Sequence, residues 1–223
     1  DTSKAKLIPG VEAIFTYEDV PNTRFTLAGQ TYPEPSAYDA LILDSVVRYV
    51  GDEVALIVAK DEATALKAMP LIKVEYEVQK PVLDLRTAID HETVVHPEDD
   101  ILNHIPVGQD YKRNICVSYH KRVGDIEGEL AKCDYVVEGT YFDQATRQSA
   151  MEPFQSFGYI DHLGRIVIVS STQIVFHVRR HIARALGIPA SKIRVIKPRI
   201  GGGFGSKQTA CTELMTAFVT WKL

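Results

Sequence analysis

Four of the chain's fourteen glycines fall within positions 201–205, in the run GGGFGSKQ that ends at Gln208. Nothing else in the sequence constrains the backbone as strongly. Residues without a Cβ allow positive φ and let other groups come close to the main chain. The β-like run KIRVIKPRI leads into these glycines, and a helical stretch follows them. Backbone N–H groups gathered between a strand and a helix suit an anionic or oxo group, although a purely structural turn would use the same glycines. Two phosphate motifs fail here. A Walker A loop requires G-x-x-x-x-G-K-S/T, and counting from Gly201 puts Ser206 at its second Gly and Gln208 at its hydroxyl position. The dinucleotide pattern G-x-G-x-x-G puts its third Gly at Ser206 and leaves no chain for an acidic residue about 20 positions on.

Composition narrows the classes further. With 223 residues, 45% of them hydrophobic, the chain can bury a core as one large domain or two small ones. A net charge of -4 lacks the basic excess that a phosphate backbone demands, so no nucleic-acid partner is expected. Cys116, Cys133 and Cys211 lie far apart without a C-x-x-C pair. That spacing supports no iron-sulfur cluster, zinc ribbon or disulfide framework and points to a reducing compartment. No apolar run approaches the roughly 20 residues that span a bilayer, and DTSKAKLIPG has no signal-peptide core. No membrane association and a cytoplasmic location are therefore expected. The chain opens without Met and closes on TELMTAFVTWKL. The apolar stripe there, Ala210, Leu214, Ala217, Phe218 and Trp221, stops without a Gly or Pro cap, so both ends read as cuts in a longer polypeptide.

Periodicity predicts a mixed α+β chain. VEAIFTY and EVALIVA are strand-like, KVEYEV alternates with period two, and DEATALKAM is helical until Pro70. From Pro81 to Ile115 the pattern fades into a polar stretch with three prolines, read as a linker laid along the surface. Beyond it, ICVSYHKR, YVVEGTYF, SFGYID and RIVIVS read as strands, and GDIEGELAKC as a short helix. Thr172 can cap a helix from about Gln173 to Leu186 with the stripe Ile174, Val175, Val178, Ile182 and Ala185, stopped by Gly187 and Pro189.

The stretch TQIVFHVRRHIARALGIPASKIRVIKPRIGGGFGSKQ resembles the part of xanthine dehydrogenase/aldehyde oxidase family molybdenum hydroxylases in which a Thr-Gln pair opens a helix and a GGGFG turn follows. SVVRYVGDEVALIVAKDEATALKAMPLIKVEYEVQKPVLD is similar to that family's hammerhead domain, and GDIEGELAKCDYVVEGTY with MEPFQSFGYID to the entry of its molybdopterin-binding domain. The resemblance covers nearly the whole chain. It implies an α+β fold with a hammerhead-like α/β domain over 1–80, a linker over 81–115, and a partial molybdopterin-binding domain over 116–223.

What the resemblance implies can be stated residue by residue. Gln173 approaches an oxo ligand of molybdenum without itself ligating the metal. Gly202, Gly203, Phe204 and Gly205 present main-chain N–H groups to the cofactor. Phe204 either stacks on a planar substrate or plugs the turn against the core. Gln208 stands where xanthine-oxidising members carry a substrate-binding Glu, and an amide can still donate to and accept from an N-heterocycle. Lys207 could approach a cofactor phosphate but reads as a solvated surface charge. Glu152 reads as backbone support, because the family's catalytic base belongs to a later part of its chain. His177 and His181 have the i, i+4 spacing of a zinc helix, but Val178 and the lack of a third ligand make a polar helix face the expected reading.

The implied activity is hydroxylation of an N-heterocycle, purine-like, or of an aldehyde by water-derived oxygen. The implied cofactor is molybdopterin with molybdenum, in the cytosine dinucleotide form. The implied partners are 2Fe-2S and FAD subunits or domains and the remaining half of the molybdenum-binding subunit. By itself the chain is expected not to turn over. A non-catalytic molybdopterin carrier or insertion protein is the alternative.

Overall fold

The computed structural model describes residues 1–27 and 31–223. Near the N-terminus, β1 (Val11–Phe15) pairs antiparallel with β2 (Leu56–Ala59), and the register slips between Val11 and Ala13. The helix α1 (Glu62–Ala68) follows. Asp61, extended at its N-cap, accepts the Thr64 N–H at 2.8 Å and so satisfies one otherwise unpaired first-turn donor. Pro70 tightens the chain into a 3-10 turn over Met69–Leu71, since it can supply no helical N–H. Ala5, Ile14 and Ala68 form a small apolar cluster in this unit.

From 81 to 115 the described backbone holds only 3-10 turns and isolated bridges. It is nonetheless tied down: Arg24 donates to Asp100 at 2.7 Å, and the Tyr38 N–H donates to the Leu102 carbonyl at 2.9 Å. The short helix α2 (Ile126–Leu130) is capped by Asp125, which accepts the Gly128 N–H at 3.1 Å.

The remaining chain builds a three-stranded sheet. β3 (Ser156–Ile160) and β4 (Ile166–Ser170) form a hairpin. α3 (Val175–Leu186) then crosses over to β5 (Ile193–Ile196), which lies parallel to β4 and gives the order β3-β4-β5. As the middle strand, β4 buries Ile166, Val167 and Ile168 together, and its sequence is accordingly a continuous apolar run. Gly187 ends α3 in a left-handed conformation, its N–H returning to the Arg184 carbonyl and that of Ile188 to Ala183. The last helix, α4 (Glu213–Lys222), lays Leu214, Ala217 and Phe218 on the sheet and α3. One main core results, and it draws Phe15, Phe25, Ile42 and Leu43 from the N-terminal segment. Phe15 meets Phe218 edge-on, ring centroids 5.1 Å apart.

The structure departs from the sequence expectation in two places. KVEYEV, ICVSYHKR and YVVEGTYF form no strands among the described residues. Their side chains stand largely in solvent, Tyr135 91%, Val137 89% and Phe142 92% exposed. Alternation marks a run that could lie on a sheet, but a strand exists only where another edge lies within hydrogen-bonding reach. The second departure is the start of α3. Ile174 occupies its N-cap, and Thr172 accepts the Ile174 N–H at 3.0 Å from outside the helix. Gln173 lies outside the helix, and its N–H is directed to the Lys207 carbonyl at 2.9 Å.

Candidate functional site

The turn after β5 is held from three sides. At its start, the Gly201 N–H donates to Glu152 Oε2 at 2.8 Å, and the Gly201 carbonyl accepts the Glu152 N–H at 3.1 Å. At its end, Gly203 accepts from the Ser206 N–H at 2.8 Å and the Ser206 hydroxyl at 2.6 Å, which winds the chain into the 3-10 turn Ser206–Gln208. Gln208, half-buried, donates its N–H to the Gly205 carbonyl at 3.1 Å. Third, the Gln173 carboxamide lies across Gly203. A Cβ on Gly203 would stand 2.4 Å from Gln173 Oε1, so only glycine admits this contact.

The backbone between these anchors is wound unusually. Gly202, Phe204 and Gly205 all have positive φ, at 99°, 50° and 88°. For phenylalanine this conformation is rare, and it is held by the bonds on either side. Among the described residues, the N–H groups of Gly202, Gly203, Phe204 and Gly205 donate to no protein acceptor. Successive unpaired amides in such a turn form a concave anion-binding nest. Beside it, Gln173 Oε1 is buried with no hydrogen-bond partner. A buried polar atom without a partner is costly in a native fold, and the natural partner here is a group resting in the turn. The open N–H donors fit the oxygens of a ligand and the orphaned Oε1 fits a donor on it, while the same carboxamide turned over would offer its N–H₂ to an oxo group.

One side chain at the turn differs from its sequence expectation, and for a second, Phe204, the structure removes one of the two readings. Lys207 is not a solvated charge. It is 2% exposed, and its ammonium meets Glu152 Oε2 at 2.7 Å. Its position just after the glycines, in the middle of the 3-10 turn Ser206–Gln208, buries it. Phe204 is no plug against the core, since its side chain is 75% exposed with one ring edge lying over Gly202. Glu152 supports the backbone, as expected. Lys207 first, and then the Gly201 N–H, hold its carboxyl below the usual glutamate value.

The histidines of α3 belong to a separate buried cluster that periodicity could not reveal. Glu34, 1% exposed, accepts from Arg180 at 3.0 Å and from the Tyr38 hydroxyl at 2.9 Å, with His177 Nδ1 at 3.7 Å and His181 Nε2 at 3.9 Å. Burial is the largest single influence on the Glu34 carboxyl and works to raise its pKa, but the hydrogen bonds from Arg180, the backbone and Tyr38, with the charge of Arg180, together outweigh it and hold it below its ordinary value. Burial, and then the Glu34 carboxylate, push the Tyr38 phenol up to about 12. Among the described residues, no group of three or more His, Cys, Asp or Glu is arranged to hold a metal ion.

Residues 107–223 match the family described as molybdopterin cofactor-binding domain, and residues 1–80 match the a/b hammerhead domain of aldehyde oxidase and xanthine dehydrogenase. A relative from Escherichia coli K12 named "Probable hypoxanthine oxidase" is 37% identical over 99% of this chain and 25% of its own length. The nicotinate dehydrogenase large molybdopterin subunit of Eubacterium barkeri is 29% identical over 99% of this chain and 48% of its own. Among solved structures, the aldehyde oxidoreductase of Desulfovibrio gigas superposes with a TM-score of 0.79 at 25% identity, covering 99% of this chain and 24% of that one. The chain therefore spans only a quarter to a half of these proteins.

Proposed function

Because the chain belongs to the xanthine dehydrogenase/aldehyde oxidase family of molybdenum hydroxylases, we propose that it forms part of a catalytic subunit and holds molybdopterin between Gln173 and the 202–205 turn. The observation that carries this reading is the buried, partnerless Gln173 Oε1 packed on Gly203 beside a row of open N–H donors. When bound, the cofactor supplies a two-electron oxidation and the site of oxygen transfer. The chain's own residues position it. The turn's amides are fixed dipoles that need little reorganisation around a charged oxygen, and the carboxamide adds a neutral contact with no net charge.

The substrate we propose is a purine-like N-heterocycle or an aldehyde. The names of the hypoxanthine-oxidising, nicotinate-oxidising and aldehyde-oxidising relatives support these classes. Phe204, exposed at the lip of the turn, offers a ring face to a planar substrate, and Gln208 can both donate and accept. Glu152 does not serve as the base, because Lys207 and Gly201 already occupy its carboxylate. That role falls to a carboxylate elsewhere in the assembled enzyme. The cytosine dinucleotide form, 2Fe-2S and FAD partners, the other half of the molybdenum-binding subunit and a cytoplasmic location complete the proposal. No helix among the described residues is long and apolar enough to cross a membrane. Elemental analysis of the purified natural assembly tests the reading. Stoichiometric molybdenum is expected, and an active, pure assembly without molybdenum would overturn it.

A further inference from the structure

We propose that Glu152 and Lys207 form a latch that holds the glycine turn and Gln173 in one arrangement. Both are then positioning residues for the cofactor, a role that rests on the reading that the turn and Gln173 hold it. Glu152 Oε2 takes the Gly201 N–H at 2.8 Å and the Lys207 ammonium at 2.7 Å, which joins the start of the turn to its end. The Lys207 carbonyl takes the Gln173 N–H at 2.9 Å and, more loosely, the Thr172 hydroxyl at 3.5 Å, which joins the turn to the carboxamide. All three parts of the site thus converge on two residues 55 positions apart in sequence, through their side chains at the turn and through the Lys207 main chain at Gln173.

Burial makes this more than a surface ion pair. An ammonium only 2% exposed requires an opposing charge, and Glu152 provides it. The pair is neutral as a unit, so the lysine is not offered to a ligand phosphate. Its effect on the ligand is indirect: it keeps the N–H row of 202–205 open, where a slack turn would fold those donors back onto the protein. Preorganisation of this kind is what a dipole cradle needs, and outer residues supply it.

The test uses the assembled enzyme with Lys207→Met, Lys207→Arg, Glu152→Ala, Glu152→Gln, the Lys207→Met/Glu152→Ala double variant, and Asp161→Asn as a control. Asp161 holds Arg165 at 2.9 Å in the β3–β4 hairpin, in an ion pair separate from the turn. Molybdenum and pterin per copy, the Mo(V) EPR spectrum of the loaded fraction, and the thermal midpoint are measured for each. We expect Lys207→Met and Glu152→Ala to lower cofactor content by about tenfold or more. The double variant should be no worse than either single one. Lys207→Arg should recover part of the loss, and the loaded remainder should show an altered EPR spectrum. Asp161→Asn should lower only the midpoint. Variants with wild-type content and spectrum, losses that simply add, or an equal loss of cofactor in Asp161→Asn at a comparable drop in midpoint would each overturn the latch. So would collapse of every variant including the near-isosteric Glu152→Gln, which would show a general stabilising role. Wild-type enzyme devoid of molybdenum would instead sink the cofactor reading, and the latch with it.

Discussion

Gly203 shows how narrow the tolerance of the site is at the scale of one residue. Its missing side chain is the space in which the Gln173 carboxamide lies, and an added methyl would stand 2.4 Å from Oε1 and 2.5 Å from Cδ. The amide would have to retreat by about 1 Å, a displacement that costs on the order of 100-fold when it misplaces a group at a reacting centre. Gly203→Ala should therefore fold normally by circular dichroism and lose roughly that factor in kcat/KM of the assembled enzyme. Unchanged kinetics would place the Gln173–Gly203 contact outside the chemistry. Phe204 belongs to the same scale. A non-glycine residue at φ 50° is held there by its neighbours, and its ring is left in solvent at the lip of the turn.

The element that depends most on buried charge is α3, whose Arg180 is tied to Glu34 and, through it, to Tyr38. The phenol is raised to about 12 because ionising it would bury a second negative charge beside Glu34. Its neutral form is favoured by folding. The stabilisation is full below the unfolded tyrosine value near 10 and is lost as pH rises through the folded one. In an alkaline titration followed by tyrosinate absorbance, one of the ten tyrosines should ionise late, near 12, and Tyr38→Phe should delete that step. The same variant removes a buried donor to Glu34 and should lower stability by about 1 kcal/mol, read from denaturant midpoints. A titration identical to wild type would show that Tyr38 is open to solvent.

For the molecule as a whole, the question is whether the segments before and after the 81–115 stretch melt together. The structure puts Phe15 of β1 edge-on against Phe218 of α4 at 5.1 Å within one core. Phe218→Ala should cost about 3–5 kcal/mol, as large-to-small changes of a fully buried aromatic do. Calorimetry should show a single transition moving down. Two transitions, only one of which moves, would mean that the segments unfold independently. The same shared core explains the extent of what could be read in advance. β1, β4 and α3 were legible because each buries one face or most of a strand, and β2 because its half-buried residues are all apolar, which leaves a periodic or continuous apolar run. The strands expected at 73–78, 115–122 and 135–142 were not realised, since alternation indicates which side chains suit a sheet and not whether a neighbouring edge is present.

Within the site, the glycine run stood out in sequence because close approach to a backbone excludes every side chain, a rule a single residue type can express, while the Thr-Gln pair was legible only through the family resemblance. The burial of Lys207, its pairing with Glu152, and the orphaned oxygen of Gln173 could not be foreseen. Each is a relation between groups distant along the chain, and a local sequence pattern records no such distances. By itself the sequence determined the periodicity of the elements that fold locally and the position of the bare turn. Only the tertiary structure decided which charges meet out of water, because the cost of burying a charge depends on the partner that the fold brings to it.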